Sequence, residues 1–467
     1  MATVSLYQNI KGIPDSLQIG ESLYAGAEGR IFFSKDGLYA IKIYHPNRVS
    51  PEKRQFLEMI TMLGSRLTQD EAQFLCWPLA MVRSVDNIPQ IGCVARRIPA
   101  SYKPLCHFNE NPKMARDQFL AGRSWSHYLQ IARGVARAVA VLHGRGCAHT
   151  DLSYFNFLVN PDTTDVVLLD LDGLVVPGFL PAQVKGTRGI IAREIMLRQG
   201  RPNELSDRHS LAVQVLQTLL FRNVFKSLIT CDPTDPDKDE EIGWGEELTF
   251  SEDPKDRRNR LRLLGVPLFE GGALSYRMLT PALQRLTERA CIGGLDSPSK
   301  RPSAREWITT LSYALDELYR CSRCRLHFPY PYWLKPVQRR TCPFCGQRVS
   351  GNLPSVLSVY EPQSRGKFVF AQRYLVMGDT WKLFSDILNP QRDPPISRMK
   401  VKEPSVGHVE LDGRNNLNRL INDEENTWRV QLNGESVMTA RKGDSVPLKP
   451  GAIINFGEGR RLLVVEE

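Results

Sequence analysis

The chain has 467 residues, of which 42% are hydrophobic, and a formal net charge of +10. This length predicts two to four domains, and the charge is too small for the length to indicate nucleic acid binding by its amount. No apolar run reaches the roughly 18 residues of a membrane span. The start lacks the basic and apolar regions of a secretion signal, so we expect a cytoplasmic protein.

The first part of the chain reads as strands around a glycine turn. Alternating residues predict strands within 17–44, interrupted by the turn Gly26–Gly29. Such a turn lets backbone amides approach phosphate oxygens, although a plain β-hairpin has the same pattern. Lys42 lies on the next strand and would reach those phosphates, although a lone strand lysine is more often simply exposed. Ser50 and Pro51 then indicate a helix start.

A lysine that binds phosphates in a buried site also needs a carboxylate partner. Glu58, on the helix that follows Ser50, is the first candidate for the partner of Lys42, and Glu52 is the second. The sequence does not establish which helix face turns toward Lys42, so both candidates stay open.

The loop 149–156 contains Asp151 and Asn156, five positions apart. Asp170 follows directly after an apolar run. Phosphoryl transfer from ATP requires these residue types, because one carboxylate orients a hydroxyl while an Asn and an Asp hold Mg²⁺. Asp172 is an alternative to Asp170, and we prefer Asp170 because it ends the predicted strand.

Further helices are predicted over 126–143, 204–225 and 303–319 from their amphipathic patterns. Residues 231–260 are polar, with one acidic and one basic run. We interpret this stretch as a solvated insertion without chemistry of its own.

Four cysteines form two Cys-x-x-Cys pairs, Cys321 with Cys324 and Cys342 with Cys345. This spacing predicts a closed, structural Zn²⁺ site with four thiolates, since a redox function would not need two pairs. Residues 319–348 also interleave basic and aromatic side chains, as nucleic-acid-binding segments do. We favour the alternative that these aromatics pack or dock a protein.

Residues 367–467 show short strands and turn residues, including the hairpin signal Asn433–Gly434, and predict a β-sandwich. The last strands resemble forkhead-associated domains, which read phosphothreonine. Ser405 and His408 match the Ser-x-x-His of that family, whereas no Gly-Arg precedes them within residues 367–404.

The order of glycine turn, strand lysine, helix glutamate, Asp151, Asn156 and Asp170 resembles the protein kinase family over residues 17–318. The resemblance implies an α+β chain with a bilobal kinase-like fold. Its expected domains are a kinase N-lobe (1–98), a kinase C-lobe (99–318), a zinc ribbon (319–348), a linker (349–366) and a forkhead-associated-like β-sandwich (367–467).

The resemblance also implies a role for each matching residue. These roles are catalytic base for Asp151, Mg²⁺ (or Mn²⁺) ligands for Asn156 and Asp170, contacts of the ATP phosphates for Gly26, Gly29 and Lys42, partner of Lys42 for Glu58, and a contact of the catalytic Asp for Thr187. In this family the residues matching Glu194 and Arg301 form a pair, and the one matching Asp207 braces the catalytic loop. The match at Thr187 favours serine or threonine as the acceptor.

Three positions depart from the family pattern. Tyr24 stands where the family has the first glycine of the phosphate turn. Thr150 replaces the Arg before the catalytic Asp, and Ser153 replaces a Lys near the γ-phosphate. The replaced Arg normally gathers the phosphate of an activation segment. Thr187 carries the only hydroxyl between residues 171 and 193. We therefore expect activity without phosphorylation of that segment.

The combination of kinase, four-cysteine ribbon and β domain resembles bacterial kinases encoded beside TerY-type von Willebrand factor A proteins and a metal-dependent phosphatase. That resemblance implies a role in tellurite resistance or stress, with the von Willebrand protein or the kinase itself as acceptor and no membrane partner. Two alternatives stay open: a nucleotide-binding pseudokinase scaffold, and a nucleic-acid-binding protein that acts through the basic ribbon.

Overall fold

The computed structural model describes residues 2–7, 12–20, 24–109, 114, 117–118, 121–176, 186–226, 242–261, 264, 266–334, 341–349, 353–378, 381–392, 403–413, 417–432 and 437–466. The chain divides into two compact units. The first is Met1–Met114, Ile131–Arg260 and Arg289–Arg305, and the second is Ala115–Gln130, Leu261–Glu288 and Glu306–Glu467. Helices and several antiparallel sheets occur together, as predicted for a mixed helix-and-sheet chain. Within these residues, no helix is long and apolar enough to cross a membrane.

The strands are numbered in chain order. They are β1 (Ala2–Tyr7), β2 (Ser16–Ile19), β3 (Tyr24–Ala25), β4 (Gly29–Phe33), β5 (Tyr39–Tyr44), β6 (Pro78–Val85), β7 (Ile88–Arg96), β8 (Lys103–Pro104), β9 (Phe157–Val159), β10 (Val166–Leu168), β11 (Leu318–Arg320), β12 (His327–Pro329), β13 (Ser355–Pro362), β14 (Phe368–Met377), β15 (Lys382–Leu383), β16 (Gly407–Asp412), β17 (Leu417–Asn422), β18 (Trp428–Gln431), β19 (Met438–Ala440), β20 (Ser445–Pro447), β21 (Ile453–Asn455) and β22 (Leu462–Val465).

The α-helices are numbered in the same way. They are α1 (Pro51–Gly64), α2 (Gln69–Ala72), α3 (Cys106–Asn109), α4 (Trp125–Gly144), α5 (Arg193–Met196), α6 (Glu204–Leu220), α7 (Pro281–Glu288), α8 (Gly294–Asp296), α9 (Ala304–Ala314) and α10 (Ser385–Leu388).

The first unit contains a seven-stranded sheet with the strand order β2-β1-β6-β7-β5-β4-β3. Its core includes Val4, Ile41 and Val94, which are fully buried. The strands predicted within 17–44 are present as β2 to β5. In the register of β4, β5 and β7, Lys42 lies between Ile31 and Cys93.

Helix α1 begins as its sequence predicts and buries one face against strand β6. Ser50 caps it by accepting a hydrogen bond from the Lys53 backbone N–H. Leu57 and Ile60 are fully buried. Glu58 lies about 100° around the helix from Leu57, because an α-helix has about 3.6 residues per turn.

Two predicted helices are shorter than expected, and each has a local reason. Helix α6 ends at Leu220 instead of residue 225, because Phe221 adopts a left-handed backbone conformation with φ of 56°. Helix α9 ends at Ala314 instead of residue 319, because strand β11 pairs with β12. The helix predicted over 126–143 is confirmed as α4.

The carboxyl-terminal part of the second unit contains two antiparallel sheets. Strands β14-β13-β22-β21-β18-β19 form one, and β15-β16-β17-β20 form the other. One cluster of buried residues, including Leu375, Leu420 and Trp428, draws from both sheets. Strands β18 and β19 pair as the hairpin signal predicts, while the turn Asn433–Gly434 itself lies outside the described residues.

The segment 349–366, predicted as a linker, contains strand β13. This strand pairs with both β14 and β22 and buries Leu357 and Val359 completely. The prediction of a linker is therefore wrong for β13. The Ser, Gly and Pro residues that suggested a linker flank an apolar strand, and they mark its ends.

Candidate functional site

A cavity of about 460 Å³ lies in the first unit, and its lining includes residues of β4, β5, β7 and β9 and of the segment after β10. Ile31 and Leu158 belong to its apolar lining, and Lys42, Asn156 and Asp170 contribute polar groups. Cavities of this size with a few convergent polar groups are typical of small-ligand sites.

The Asp151 carboxylate is oriented by a residue far away in the sequence. Its Oδ1 accepts hydrogen bonds from the Thr187 backbone N–H at 3.1 Å and from Thr187 Oγ1 at 2.9 Å. Asn156 Nδ2 donates to the Asp151 backbone oxygen at 2.9 Å and lies 3.5 Å from Asp151 Oδ2. A carboxylate held in this way meets the first requirement of a general base, which is a defined direction.

His149 and Asp207 support the loop that carries Asp151. Asp207 Oδ2 accepts a hydrogen bond from the His149 backbone N–H at 2.7 Å. His149 Nδ1 accepts from the Asp151 N–H at 3.1 Å, so its Nε2 carries the proton and donates to the Leu169 oxygen at 3.0 Å. Burial raises the pKa of Asp207, and its hydrogen bond to His143 acts in the opposite direction. These contacts join the loop to the segment after β10.

Asp170 combines an unusual backbone with a position in the cavity wall. Its φ of 58° and ψ of 42° lie in the left-handed region, which is uncommon for residues other than glycine. Such conformations cluster at functional sites. The Asp170 side chain is 47% exposed, and its Oδ1 lies 3.1 Å from Lys42 Nζ. The neighbouring Leu169 N–H donates to the Asn156 backbone oxygen at 2.7 Å, which brings both predicted Mg²⁺ ligands together.

The structure places the carboxylate of Glu28 beside Lys42. Lys42 Nζ lies 3.2 Å from Glu28 Oε2. Glu58 accepts from Arg54 Nε at 3.2 Å on an exposed part of α1, and Glu52 is exposed in the first turn of that helix. The predicted partner of Lys42 is therefore corrected from Glu58 to Glu28, because α1 turns other residues toward the sheet.

The glycine turn is closed by a hydrogen bond from the Gly26 N–H to the Gly29 oxygen at 2.9 Å. At Gly29, a Cβ atom would lie 2.2 Å from the Ile43 oxygen, so only glycine fits there. Both predicted glycines thus lie in a tight turn at the strand next to Lys42.

The three departures from the kinase pattern occupy different environments. Tyr24 is 64% exposed and also lines the cavity. Thr150 Oγ1 donates to the Gly173 oxygen at 3.3 Å. Ser153 is only 2% exposed, so its hydroxyl does not replace a cation at the cavity surface.

A buried ion pair anchors the segment that follows Thr187. Arg301 is completely buried and donates two hydrogen bonds to Glu194, at 2.7 and 2.9 Å. Burial by itself would raise the pKa of Glu194, but the Arg301 guanidinium holds it below its usual range. Such two-pronged pairs define an orientation as well as a distance.

Residues 242–260 are not a fully solvated insertion, which corrects the interpretation from composition. Phe250 is completely buried, and Glu252 forms a buried ion pair with Arg222. A Cβ atom at Gly189 would lie 3.1 Å from the Trp244 ring, so this ring lies directly against the segment that carries Thr187. The apolar residues within the polar stretch were the available signal. Residues 227–241 lie outside the described part of the chain.

The four predicted cysteines come together in the second unit. Their sulfurs all lie within 4.8 Å of one another, with Cys321 Sγ and Cys345 Sγ 3.8 Å apart and Cys324 Sγ and Cys342 Sγ 3.6 Å apart. A tetrahedron with Zn–S bonds of about 2.3 Å has edges of about 3.8 Å. Burial raises the pKa of the Cys342 thiol, and it raises that of Cys324 to about 11. The group could hold a structural metal ion, which would favour the thiolates.

Backbone and ring contacts pack the second cysteine turn onto its surroundings. The Leu268 and Phe269 N–H groups donate to the oxygens of Pro343 and Phe344, each at 3.0 Å. Phe344 is fully buried, with its ring centroid 5.5 Å from that of Trp125.

Two aromatic residues of the ribbon pack inside the protein. Phe328 is fully buried, and Tyr330 is 1% exposed. These two rings cannot stack on bases, which supports packing over the nucleic-acid interpretation. Arg320, Arg323 and Arg325 are exposed, whereas residues 335–340, with further basic side chains, lie outside the described residues.

Ser405 and His408 share a carboxylate partner. Ser405 Oγ donates to Asp423 Oδ2 at 2.8 Å, and His408 Nδ1 lies 2.9 Å from Asp423 Oδ1. The hydrogen bond to Asp423 raises the pKa of His408. A carboxylate between the two side chains would repel a phosphate, so this geometry does not favour phosphothreonine reading at these residues.

Comparisons with known proteins leave the site to be interpreted from its geometry. No protein-family model and no curated protein matches the chain.

Proposed function

We propose that the chain is an ATP- and Mg²⁺-dependent protein kinase with a bilobal kinase-like fold, which phosphorylates serine or threonine on a protein partner or on itself. The carrying observation is the oriented Asp151 carboxylate, held by Thr187 and linked through Asn156 to a cavity that contains Lys42 and Asp170. Positioning and charge stabilisation are the main demands of phosphoryl transfer, and these residue types supply both.

Each residue has a role that its contacts support. Asn156 Nδ2 donates to oxygens of Asp151, so the other amide atom, Asn156 Oδ1, remains available for Mg²⁺. This ion prefers oxygen ligands. Asp170 adds a half-exposed carboxylate. Lys42 contacts the nucleotide phosphates, and Asp151 orients the acceptor hydroxyl. Mg²⁺ supplies charge neutralisation on the phosphates when bound.

For the four-cysteine cluster we propose structural Zn²⁺. The sulfur separations match a zinc tetrahedron, and four cysteines leave no open position for a substrate. The resemblance further suggests a von Willebrand factor A protein as acceptor and a metal-dependent phosphatase as its antagonist, in a tellurite-resistance type of switch. Those partners rest on the resemblance alone.

Transfer of label from γ-labelled ATP tests the proposal. Wild type is expected to label itself or an added protein, and Asp151→Asn is expected to lose roughly two or more orders of magnitude in rate. Asp70→Asn, which removes an exposed carboxylate on α2, is the matched control and should behave as wild type.

A different outcome would support the scaffold interpretation. If wild type transfers no label to any acceptor while Mg²⁺ and ATP still raise its melting temperature, the chain binds nucleotide without catalysis.

A further inference from the structure

The partner of Lys42 lies on the glycine turn itself, between Gly26 and Gly29. Glu28 Oε2 is 3.2 Å from Lys42 Nζ, and the two side chains are only 28% and 20% exposed. The same ammonium group lies 3.1 Å from Asp170 Oδ1. Lys42 therefore joins the turn on one side to the segment after β10 on the other.

The backbone around Glu28 is tied to the end of the strand that carries Lys42. The His45 N–H donates to the Glu28 oxygen at 2.9 Å. His45 Nε2 lies 3.0 Å from the Gly26 oxygen, and since a carbonyl only accepts, the imidazole nitrogen is the donor. Strands β4 and β5 also pair in register, with Gly29 opposite Tyr44. These contacts hold the Glu28 main chain relative to Lys42, so its carboxylate needs only its own rotamer to reach the amine.

Helix α1 offers no equivalent arrangement. Glu58 is 53% exposed and pairs with Arg54 one turn earlier. A solvent-exposed pair of this kind contributes little to positioning, because water and salt screen it.

We propose that Glu28 is the positioning residue for Lys42, acting from the phosphate-covering turn, in the nucleotide site of the proposed kinase. The inference rests on the proposed function and adds a residue to it. Asp170 is also the carboxylate expected to face Mg²⁺, so Glu28 is the partner that stays with Lys42 when nucleotide is bound. Its charge keeps the ammonium group directed into the cavity, where phosphates accept from it.

The test compares Glu28→Gln with Glu58→Gln, which removes a carboxylate from an exposed pair. Calorimetry with Mg²⁺ and a non-hydrolysable ATP analogue should show affinity reduced roughly tenfold by Glu28→Gln and unchanged by Glu58→Gln. Glu28→Asp should recover part of the loss. In a Lys42→Ala background, Glu28→Gln should have no further effect, since its action passes through Lys42.

Unchanged affinity in Glu28→Gln would overturn the inference. Tighter binding would overturn it too, because it would mean that Glu28 competes with the phosphates. The readout does not require catalysis: if wild type binds the analogue but transfers no phosphate, the proposed kinase activity fails while the Glu28 comparison still gives its answer. If wild type does not bind the analogue, both fail. Melting temperatures without nucleotide should agree among the variants, which shows that they fold.

Discussion

The cavity lined by Lys42, Asn156 and Asp170 and the four-cysteine cluster both contain residues predicted from short motifs, yet they are built differently. The cysteine cluster is compact: four sulfurs lie within 4.8 Å of one another, and the fully buried ring of Phe344, in the second cysteine turn, packs against Trp125. The cavity is open, and its charged groups, such as Lys42 and Asp170, are 20% and 47% exposed.

The difference fits what each site is proposed to do. A structural metal site must stay closed, so its ligands come from two local turns and are supported by packing. A site that exchanges a nucleotide must admit solvent, and its residues are held mainly by hydrogen bonds, including those of Thr187 to Asp151. Mutations should therefore affect stability at the first site and rate at the second.

The largest expected effect is at the cysteine cluster. Cys342→Ser should remove a bound zinc ion and destabilise the surrounding strands, because structural zinc contributes apparent binding energies of ~10 kcal/mol or more near neutral pH. Metal analysis should find one zinc per wild-type chain and none in the variant. Cys76→Ser, which changes a cysteine outside the cluster, should keep its zinc. Zinc retained in full by Cys342→Ser would contradict a zinc site that needs all four cysteines.

The second largest effect concerns the ion pair of Arg301 and Glu194, which anchors the segment after Thr187. Arg301→Lys leaves Glu194 with a poorer partner at a completely buried position, which should lower the free energy of unfolding by about 3 kcal/mol. Urea denaturation measures this change. Arg54→Lys, in the exposed pair with Glu58, should change it by less than about 0.5 kcal/mol. Similar losses of unfolding free energy in both variants would contradict the claim that the buried ion pair stabilises the protein more than the exposed one.

A smaller effect concerns rate alone. Thr187→Val removes the hydroxyl that donates to Asp151 but keeps the backbone N–H, so the transfer rate should fall roughly tenfold. Thr187→Ser keeps the donor and should remain close to wild type. Steady-state kinetics should show the loss in kcat and not in the KM for ATP. An unchanged kcat in Thr187→Val would show that the Thr187 hydroxyl does not contribute to the transfer rate.

The smallest effect is a pH dependence near the cysteine cluster. Burial, with a contribution from Asp316, raises the pKa of Glu317 from 4.5 to about 8, against the opposing charges of Arg285 and Arg373. Tyr332 Oη donates to this carboxyl at 2.9 Å. Because the folded-state pKa is the higher one, the group stabilises fully below pH 4.5, and this contribution is lost as the pH rises toward about 8.

Glu317→Gln should therefore lose fewer degrees of melting temperature than wild type between about pH 5 and about pH 8.5. Glu403→Gln, at an exposed carboxylate, should follow wild type. Identical pH profiles for wild type and Glu317→Gln would show that the buried carboxyl does not titrate in this window.

What the sequence could predict depended on how local the determinants are. The cysteine cluster was predictable because each Cys-x-x-Cys turn supplies two ligands by itself. The strands within 17–44 and the start of α1 were predictable from alternation and capping residues. Asp151, Asn156 and Asp170 were found because a short loop and a strand end carry them.

The sequence predictions that the structure corrects concern features that are determined by tertiary contacts. Glu28 was in view inside the glycine turn, but no sequence pattern shows that its carboxylate, and not that of Glu58, reaches Lys42. The Ser, Gly and Pro residues around strand β13 predict a linker, whereas its apolar middle forms a buried strand. The average polarity of residues 242–260 predicts a solvated insertion, because it does not reflect the individual apolar residues Trp244 and Phe250.

The most direct test of the central claim is single-turnover transfer from γ-labelled ATP by wild type and Asp151→Asn, with nucleotide affinity measured in parallel. We expect phosphoserine or phosphothreonine in the wild-type product and loss of transfer in the variant. The nucleotide affinity of the variant should be close to that of wild type. Equal transfer by the two proteins, or no transfer by wild type despite bound Mg²⁺ and ATP, would contradict it.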